Sequence, residues 1–306
     1  MTGGTLAPQS TRVAILVPFA IVTLIWGSTW LVIRDQLGTV PPSWSVSYRF
    51  LVAGIAMTIY AAARGESLRL PPRGWLFAAA IGLSQFCLNF NFVYRAEAHI
   101  TSGLVAVVFA LLLVPNAVLA WLFLGQRMGR QLVVGSLIAM AGVALLFLHE
   151  ARSGARGPHE TLVGIGITLL ATLSASAANV LQATGTAKRY PMMPTLALAM
   201  LMGAAMDAVV ALLLTGTPVM EWRIGYVAGI VYLGLFGSAI AFPLYFGVLR
   251  VIGPAKAAYA SVIVPVIAML LSTLFEGYRW SLLAAAGGVL TAIGLVIALR
   301  ARRPPR

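Results

Sequence analysis

Apolar runs long enough to cross a bilayer occupy most of this chain, and that leaves its backbone few choices. Inside hydrocarbon no water satisfies a free N–H or C=O, so a spanning segment must close its own hydrogen bonds, as an α-helix does. Ten runs qualify: 13–33, 44–63, 75–94, 100–124, 132–148, 162–187, 196–214, 224–249, 255–275 and 282–299. Each approaches the ~20 residues that carry a helix across a ~30 Å core. Of the 306 residues, 60% are hydrophobic and 9% charged, and the mean hydropathy is +0.93. A soluble domain would carry about a quarter charged residues. The expectation is an all-α membrane protein of ten transmembrane helices with little chain left for a soluble domain.

The runs divide into two sets of five. Segments 94–148 and 244–299 repeat one plan: a proline inside an apolar helix, a polar residue eleven positions on, a short basic hairpin, then a helix rich in small residues. Pro115 and Gln126 match Pro265 and Glu276 at a constant offset of 150. An odd number of spans per copy turns the second copy upside down, the ground plan of many secondary transporters. Residues 1–149 are expected to form one five-helix repeat and 161–306 the other, with a basic tail. The stretch 150–160 between them, with its Gly and Pro and no apolar period, reads as a linker loop.

The formal net charge is +13, but its placement speaks against nucleic-acid binding, because the basic residues lie between the apolar runs. With the N-terminus inside, fourteen of the 21 Lys and Arg residues fall on the cytoplasmic side and seven, Arg49 and Arg95 among them, on the other. That bias places both termini in the cytoplasm, and the last arginines, from Arg300 to Arg306, would meet anionic lipid head groups. Residues 1–11 are polar and the first apolar run has the length of a full span, so no cleavable signal is expected. The single cysteine, Cys87, allows no internal disulfide and reads as a buried apolar side chain. His99, His149 and His159 lie at span ends or in the linker, which leaves no metal site. No nucleotide loop, zinc-protease motif or cysteine cluster is present, so no enzymatic activity and no cofactor are expected.

The spans are not uniformly apolar. The third carries Gln85 and Asn89 on one face and Asn91 and Tyr94 on a neighbouring one; the sixth carries Ser174, Ser176, Asn179 and Gln182. Trp26, Ser28, Thr29 and Trp30 lie in the first, Ser238, Phe242 and Tyr245 in the eighth, Tyr259 and Ser261 in the ninth. Uncharged amides can bind the carboxylate and ammonium of a zwitterion without a buried charge, and aromatic faces can receive an ammonium. The competing reading is that these groups tie helices together. Trp44, Trp75, Trp222 and Trp280, at span ends, read as an interfacial belt. Asp207, the one acid deep in a span, is either structural or a candidate coupling residue. Pro115 and Pro265 are either the bending helices of a moving protein or static bends. Small-residue faces at Gly135, Ala139 and Gly142, and at Ala284, Gly287, Gly288, Thr291 and Gly294, read as close helix packing.

The first span, Leu24-Ile25-Trp26-Gly27-Ser28-Thr29, resembles the opening of EamA-type members of the drug/metabolite transporter superfamily. Thr101-Ser102-Gly103 through Gly125-Gln126-Arg127 resembles that family's fourth helix and its terminal signature, and Gly253 to Glu276 its ninth. Two departures stand out: Gln126 takes the place of the usual glutamate, and Phe275 precedes Glu276 where glycine is usual. The resemblance implies two inverted five-helix halves with both termini cytoplasmic. It also implies a central cavity lined by the first four spans of each half, with the fifth and tenth bracing the outside. Within the family the chain is similar to bacterial exporters of aromatic and other neutral amino acids. The resulting expectation is an inner-membrane exporter of amino acids and related small metabolites, working by alternating access. Trp26, Gln85, Asn89, Tyr94, Asn179, Gln182 and Tyr259 are expected to line its cavity, with Pro115 and Pro265 at the bending helices. The alternatives are a broad-substrate drug or metabolite exporter and a membrane-embedded enzyme or scaffold.

Overall fold

The computed structural model of the protein describes residues 9–126, 129–153, 157–252, 257 and 260–299, and among these there is no strand. The helices are α1 (Gln9–Asp35), α2 (Pro42–Ala63), α3 (Pro72–His99), α4 (Ser102–Leu124), α5 (Arg130–Ser153), α6 (Gly157–Ala183), α7 (Met192–Thr215), α8 (Ile224–Val251), α9 (Ala260–Phe275) and α10 (Leu282–Leu299). The all-helical reading therefore holds. Eight of these helices are long and apolar enough to cross a membrane, and α9 and α10 contribute shorter apolar stretches, Ile263–Phe275 and Leu282–Ala298.

Local chemistry sets the helix ends. Pro42 and Pro72 open α2 and α3 at positions where the missing N–H would be unpaired anyway and the fixed φ suits the first turn. The stretch 150–160 is not the continuous loop its composition suggests. Helix α5 runs through Ser153 and α6 begins at Gly157, leaving 154–156 outside the described residues. Pro158 lies in the first turn of α6, which tolerates it, and Glu160 sits there as the one acidic side chain favoured by the helix dipole. Glu160 also meets the His99 ring at 2.5 Å, tying the end of α3 to the start of α6.

The offset of 150 hides a shift at one cap. Helix α4 ends on Gly125 at φ +64, followed by Gln126, whose N–H bonds back to Ala120. In the second copy the left-handed residue is Gly277 at φ +70, and Tyr278 makes the return bond, to Ser272. Glu276 thus precedes its capping glycine, whereas Gln126 follows one. The glycine that looked missing before Glu276 lies after it.

The packing has the exchange pattern of two related copies. Helices α2 and α7, α4 and α9, and α5 and α10 each lie against their own counterpart. Several further contacts come in exchanged pairs: α1 with α9 and α6 with α4, α1 with α8 and α6 with α3, α2 with α8 and α7 with α3. Helices α5 and α10 meet backbone to backbone. A Cβ added at Gly142 would lie 2.4 Å from the Thr291 nitrogen, and one at Gly294 would lie 2.2 Å from the Ala139 nitrogen. Lipid gives no hydrophobic reward for helix association, so close contact of this kind is what holds the pair. Large apolar side chains such as Phe123, Leu213 and Leu282 point outward, as they do when hydrocarbon is the solvent.

Trp44 departs from the expected belt. It is buried and stacks on Tyr48 at 5.8 Å, in a cluster with Val40, Tyr226 and Ile230. Trp75, Trp222 and Trp280 are exposed. Arg49, counted on the outer side, is instead buried within α2, and Glu97 is buried within α3. Arg49 therefore drops out of the count of loop cations on the outer side.

Candidate functional site

Helices of both halves enclose one cavity. Its walls come from α1, α2, α3, α4, α6, α8 and α9, and it offers about 90 Å³ to the centres of water-sized molecules. That is room for on the order of half a dozen waters, or the body of a small solute. The walls are mostly apolar, with six aromatic rings among them. Trp26 packs on Phe242 and Tyr245 with ring centres 5.3 and 4.9 Å apart, and Trp30 meets Phe109 edge-on at 5.5 Å. Polar groups are few: Gln85, Asn89, Asn179, Thr29 and Arg49.

Two stretches of wide, π-helical turn shape this wall. One spans Gly82–Asn89 in α3 and the other Leu235–Ile240 in α8. Under the offset of 150 the first maps onto 232–239 and overlaps the second, so both copies carry the irregularity at a similar place. Such turns interrupt the regular ladder and re-aim side chains and carbonyls, often at functional sites. In α8 the Gly237 carbonyl accepts from Trp26 Nε1 at 3.2 Å and from Arg49 Nη2 at 3.4 Å, while Ser238 Oγ accepts from Arg49 Nε at 3.0 Å. Their other side is steric: a Cβ on Gly237 would approach Arg49 Nη2 at 3.3 Å.

The structure brings together Trp26, Gln85, Asn89, Asn179 and Pro265 on the cavity wall. Asn89 donates to the Gln85 carbonyl at 3.3 Å, and its Oδ1 has no partner among the described residues. Asn179 donates to Asn116 Oδ1 at 3.2 Å. Two other expected lining residues point elsewhere. Tyr94 is fully buried and donates to Gln36 Oε1 at 2.8 Å. Gln182 receives two donors from Arg250, at 3.2 and 2.8 Å, and so ties α6 to α8. Tyr259 lies outside the described residues. Pro115 follows a tight 3-10 turn at Ala110–Leu112 and is not among the lining residues. Asp207 is not on the wall either. Its Oδ1 accepts from Asn91 Nδ2 at 2.6 Å, and Asn91 Oδ1 in turn accepts from Ser43 Oγ at 2.5 Å.

Residues that the sequence pattern did not single out complete the site. Arg49 and Phe90 line the cavity, with the guanidinium carbon 4.2 Å from the Phe90 ring centre. A lone arginine near a span end reads as a loop cation; only packing reveals it as interior. At one end of the bundle Arg34 lies 3.7 Å from Glu276, which also accepts from Ser102 at 2.7 Å. Arg34 further donates to the Glu97 carbonyl. This cluster joins α1, α3, α4 and α9. Among the described residues no group of His, Cys, Asp and Glu has a metal-holding arrangement.

The EamA-like transporter family matches residues 14–148 and 162–300, one match for each copy. The chain belongs to the EamA-like transporter family. This EamA-family chain is therefore a membrane transporter built from two related segments. It is 27% identical to Protein PagO of Salmonella typhimurium over 96% of this chain and 95% of that protein. It is 32% identical to the uncharacterized inner membrane transporter YedA of Escherichia coli, covering 89% of this chain and 87% of that one. The uncharacterized transporter YvbV of Bacillus subtilis is 24% identical over 94% of this chain and 92% of its own length. A solved crystal structure superposes on the EamA-family chain with a TM-score of 0.70, covering 94% of this chain and 96% of that one at 23% identity; that likeness is one of fold.

Proposed function

We propose that this EamA-family transporter exports neutral amino acids, aromatic ones among them, and related small metabolites across the bacterial inner membrane by alternating access. The observation that carries the reading is the make-up of the cavity between the two copies. Its walls are apolar and rich in aromatic rings, and its polar groups are three uncharged amides and the Thr29 hydroxyl beside a single cation. Amides can satisfy the polar end of a zwitterion, and Trp26, Phe242 and Tyr245 offer faces for an apolar side chain or an ammonium. The inner-membrane location follows the name of YedA, and the bias of basic residues supports cytoplasmic termini. In this reading the copies are inverted, and the helices bearing Pro115 and Pro265 bend as one mouth closes and the other opens. The cluster in which Glu276 meets Arg34 and Ser102 is, in the same reading, the closed outer mouth.

Counterflow into proteoliposomes tests this. Labelled tryptophan, methionine or threonine should exchange through the purified full-length protein. Equal flux of structurally unrelated drugs would favour a broad-substrate exporter, and absence of flux for every small solute would favour an enzyme or scaffold. Asn89→Leu is the cleaner of the amide substitutions, since Asn179→Leu would also unpair Asn116. Losing one uncompensated amide contact is worth ~1 kcal/mol, so the flux ratio should fall about five- to tenfold with folding intact. Unchanged flux would remove Asn89 from the site.

A further inference from the structure

We infer that Arg49 is the anion-binding residue of the cavity and that the transported solute presents a carboxylate to it. The inference rests on the cavity being the substrate site, but it does not require that the solute be an amino acid.

Arg49 is 1% exposed and lies in the interior of α2, where it reaches the cavity wall. A guanidinium keeps its charge and carries five donors in a planar fork. Here Nε bonds Ser238 Oγ at 3.0 Å and Nη2 makes a long contact with the Gly237 carbonyl at 3.4 Å, while Nη1 has no partner among the described residues. No carboxylate among the described residues lies within ion-pair distance of it. The rings of Phe90 and Phe50, at 4.2 and 5.3 Å, attract the cation but accept none of its edge donors. A second buried donor on the same cavity, Trp30 Nε1, also lacks an acceptor.

A buried cation with no carboxylate in contact is costly in a membrane and marks a functional site by default. Two unpaired N–H donors, and a positive charge that the more distant buried Glu97 carboxylate does not contact, call for an oxyanion, and the guanidinium fork matches a carboxylate. Charge balance selects among oxyanions. The wall supplies one cation, so a singly charged carboxylate is neutralised, whereas a doubly charged phosphate would bring an excess charge into an aromatic enclosure. The unpartnered Asn89 Oδ1 offers an acceptor for an N–H elsewhere on the solute.

The test compares ligands on the unmodified full-length protein, by thermal stabilisation in detergent. The probes are phenylalanine, phenylalaninamide, 2-phenylethylamine, 3-phenylpropionate and inorganic phosphate. The two carboxylates should bind at least about tenfold tighter than the amide and the amine, the value of one charge-assisted contact. Phosphate should bind more weakly than either carboxylate. Arg49→Gln should abolish the preference, and Arg49→Lys should keep part of it. Should Arg49→Gln fail to fold, the ligand series on the unmodified protein decides alone. Stabilisation by 3-phenylpropionate but not phenylalanine would uphold Arg49 and sink the amino-acid reading. Equal binding of acid and amide would overturn Arg49 even where labelled amino acids are transported. Binding of phosphate as tight as the carboxylates, or of no probe at all, would overturn it too.

Discussion

Leucine in place of Gly142 should leave no folded transporter to recover. A Cβ there would sit 2.4 Å from both the nitrogen and the hydroxyl oxygen of Thr291 and 2.6 Å from the Gly287 carbonyl. Two of those three atoms are backbone, so no rotamer change relieves the overlap, and α5 must move away from α10. The reciprocal site behaves alike: a Cβ on Gly294 would lie 2.2 Å from the Ala139 nitrogen and 2.6 Å from the Gly135 carbonyl. Overpacking a core typically costs ~1–3 kcal/mol when side chains can adjust. Here it also removes the van der Waals contact that lipid-embedded helices depend on. Fluorescence-detected size-exclusion chromatography should show aggregate or loss for Gly142→Leu and Gly294→Leu. Gly166→Ala, where nothing lies within 4 Å, should elute as the unmodified protein does. A normal profile for Gly142→Leu would mean that the α5–α10 contact is dispensable.

The glycine faces were legible because their cause is local: small residues at helical spacing can serve little but close approach, and hydropathy alone settled the all-helical class. The caps were harder. Gln126 and Glu276 stand at the same offset, yet the capping glycine precedes one and follows the other, at Gly125 and Gly277. A constant offset in sequence survives a shift in cap register because both versions bury the same helix. The linker misled for a similar reason. Gly157 and Pro158 look like loop residues, but a helix accepts both in its first turn.

Legibility in the site depended on where each polar group's partner lies. Gln85 and Asn89 face the cavity, and among the described residues no other helix claims their side chains, apart from the bond from Asn89 to its own helix. Gln182, three residues from Asn179, is claimed by Arg250 on α8, and Tyr94 by Gln36 at the end of α1. Such partners lie up to 68 residues away in sequence and leave no periodic trace. Arg49 went unseen for the opposite reason: the positive-inside rule sorts loop cations, and it has no means to tell that a cation near a span end faces inward. The matched π-helical turns of α3 and α8 are likewise silent in composition. Gly82 and Gly237 lie within them, but glycine is frequent in membrane helices and marks no particular turn.

Asp207→Asn should separate transport from its driving force. The carboxyl of Asp207 lies off the cavity wall, fully buried beside Cys87, with Oδ1 held by Asn91 at 2.6 Å and Oδ2 without a hydrogen-bond partner among the described residues. The chain of contacts runs on from Asn91 to Ser43 at 2.5 Å and from Ser43 to Arg95 at 3.3 Å, so it links α7 and α2 to the end of α3. An asparagine of the same shape preserves an oxygen for the Asn91 donor, puts an NH2 in place of the other oxygen, and removes the ability to bind and release a proton. Folding should therefore survive. Even Asp207→Leu should cost no more than the low end of the ~1–3 kcal/mol for an unpaired buried donor, because Asn91 Nδ2 also reaches the Cys87 carbonyl at 3.0 Å. If Asp207 is the coupling residue, proteoliposomes bearing Asp207→Asn should keep substrate counterflow, which needs no net ion movement. Flux driven by an imposed pH gradient should fall to background. Loss of both activities with an unchanged melting temperature would make Asp207 part of the conformational change itself. Retention of both would make it a structural tie between α3 and α7.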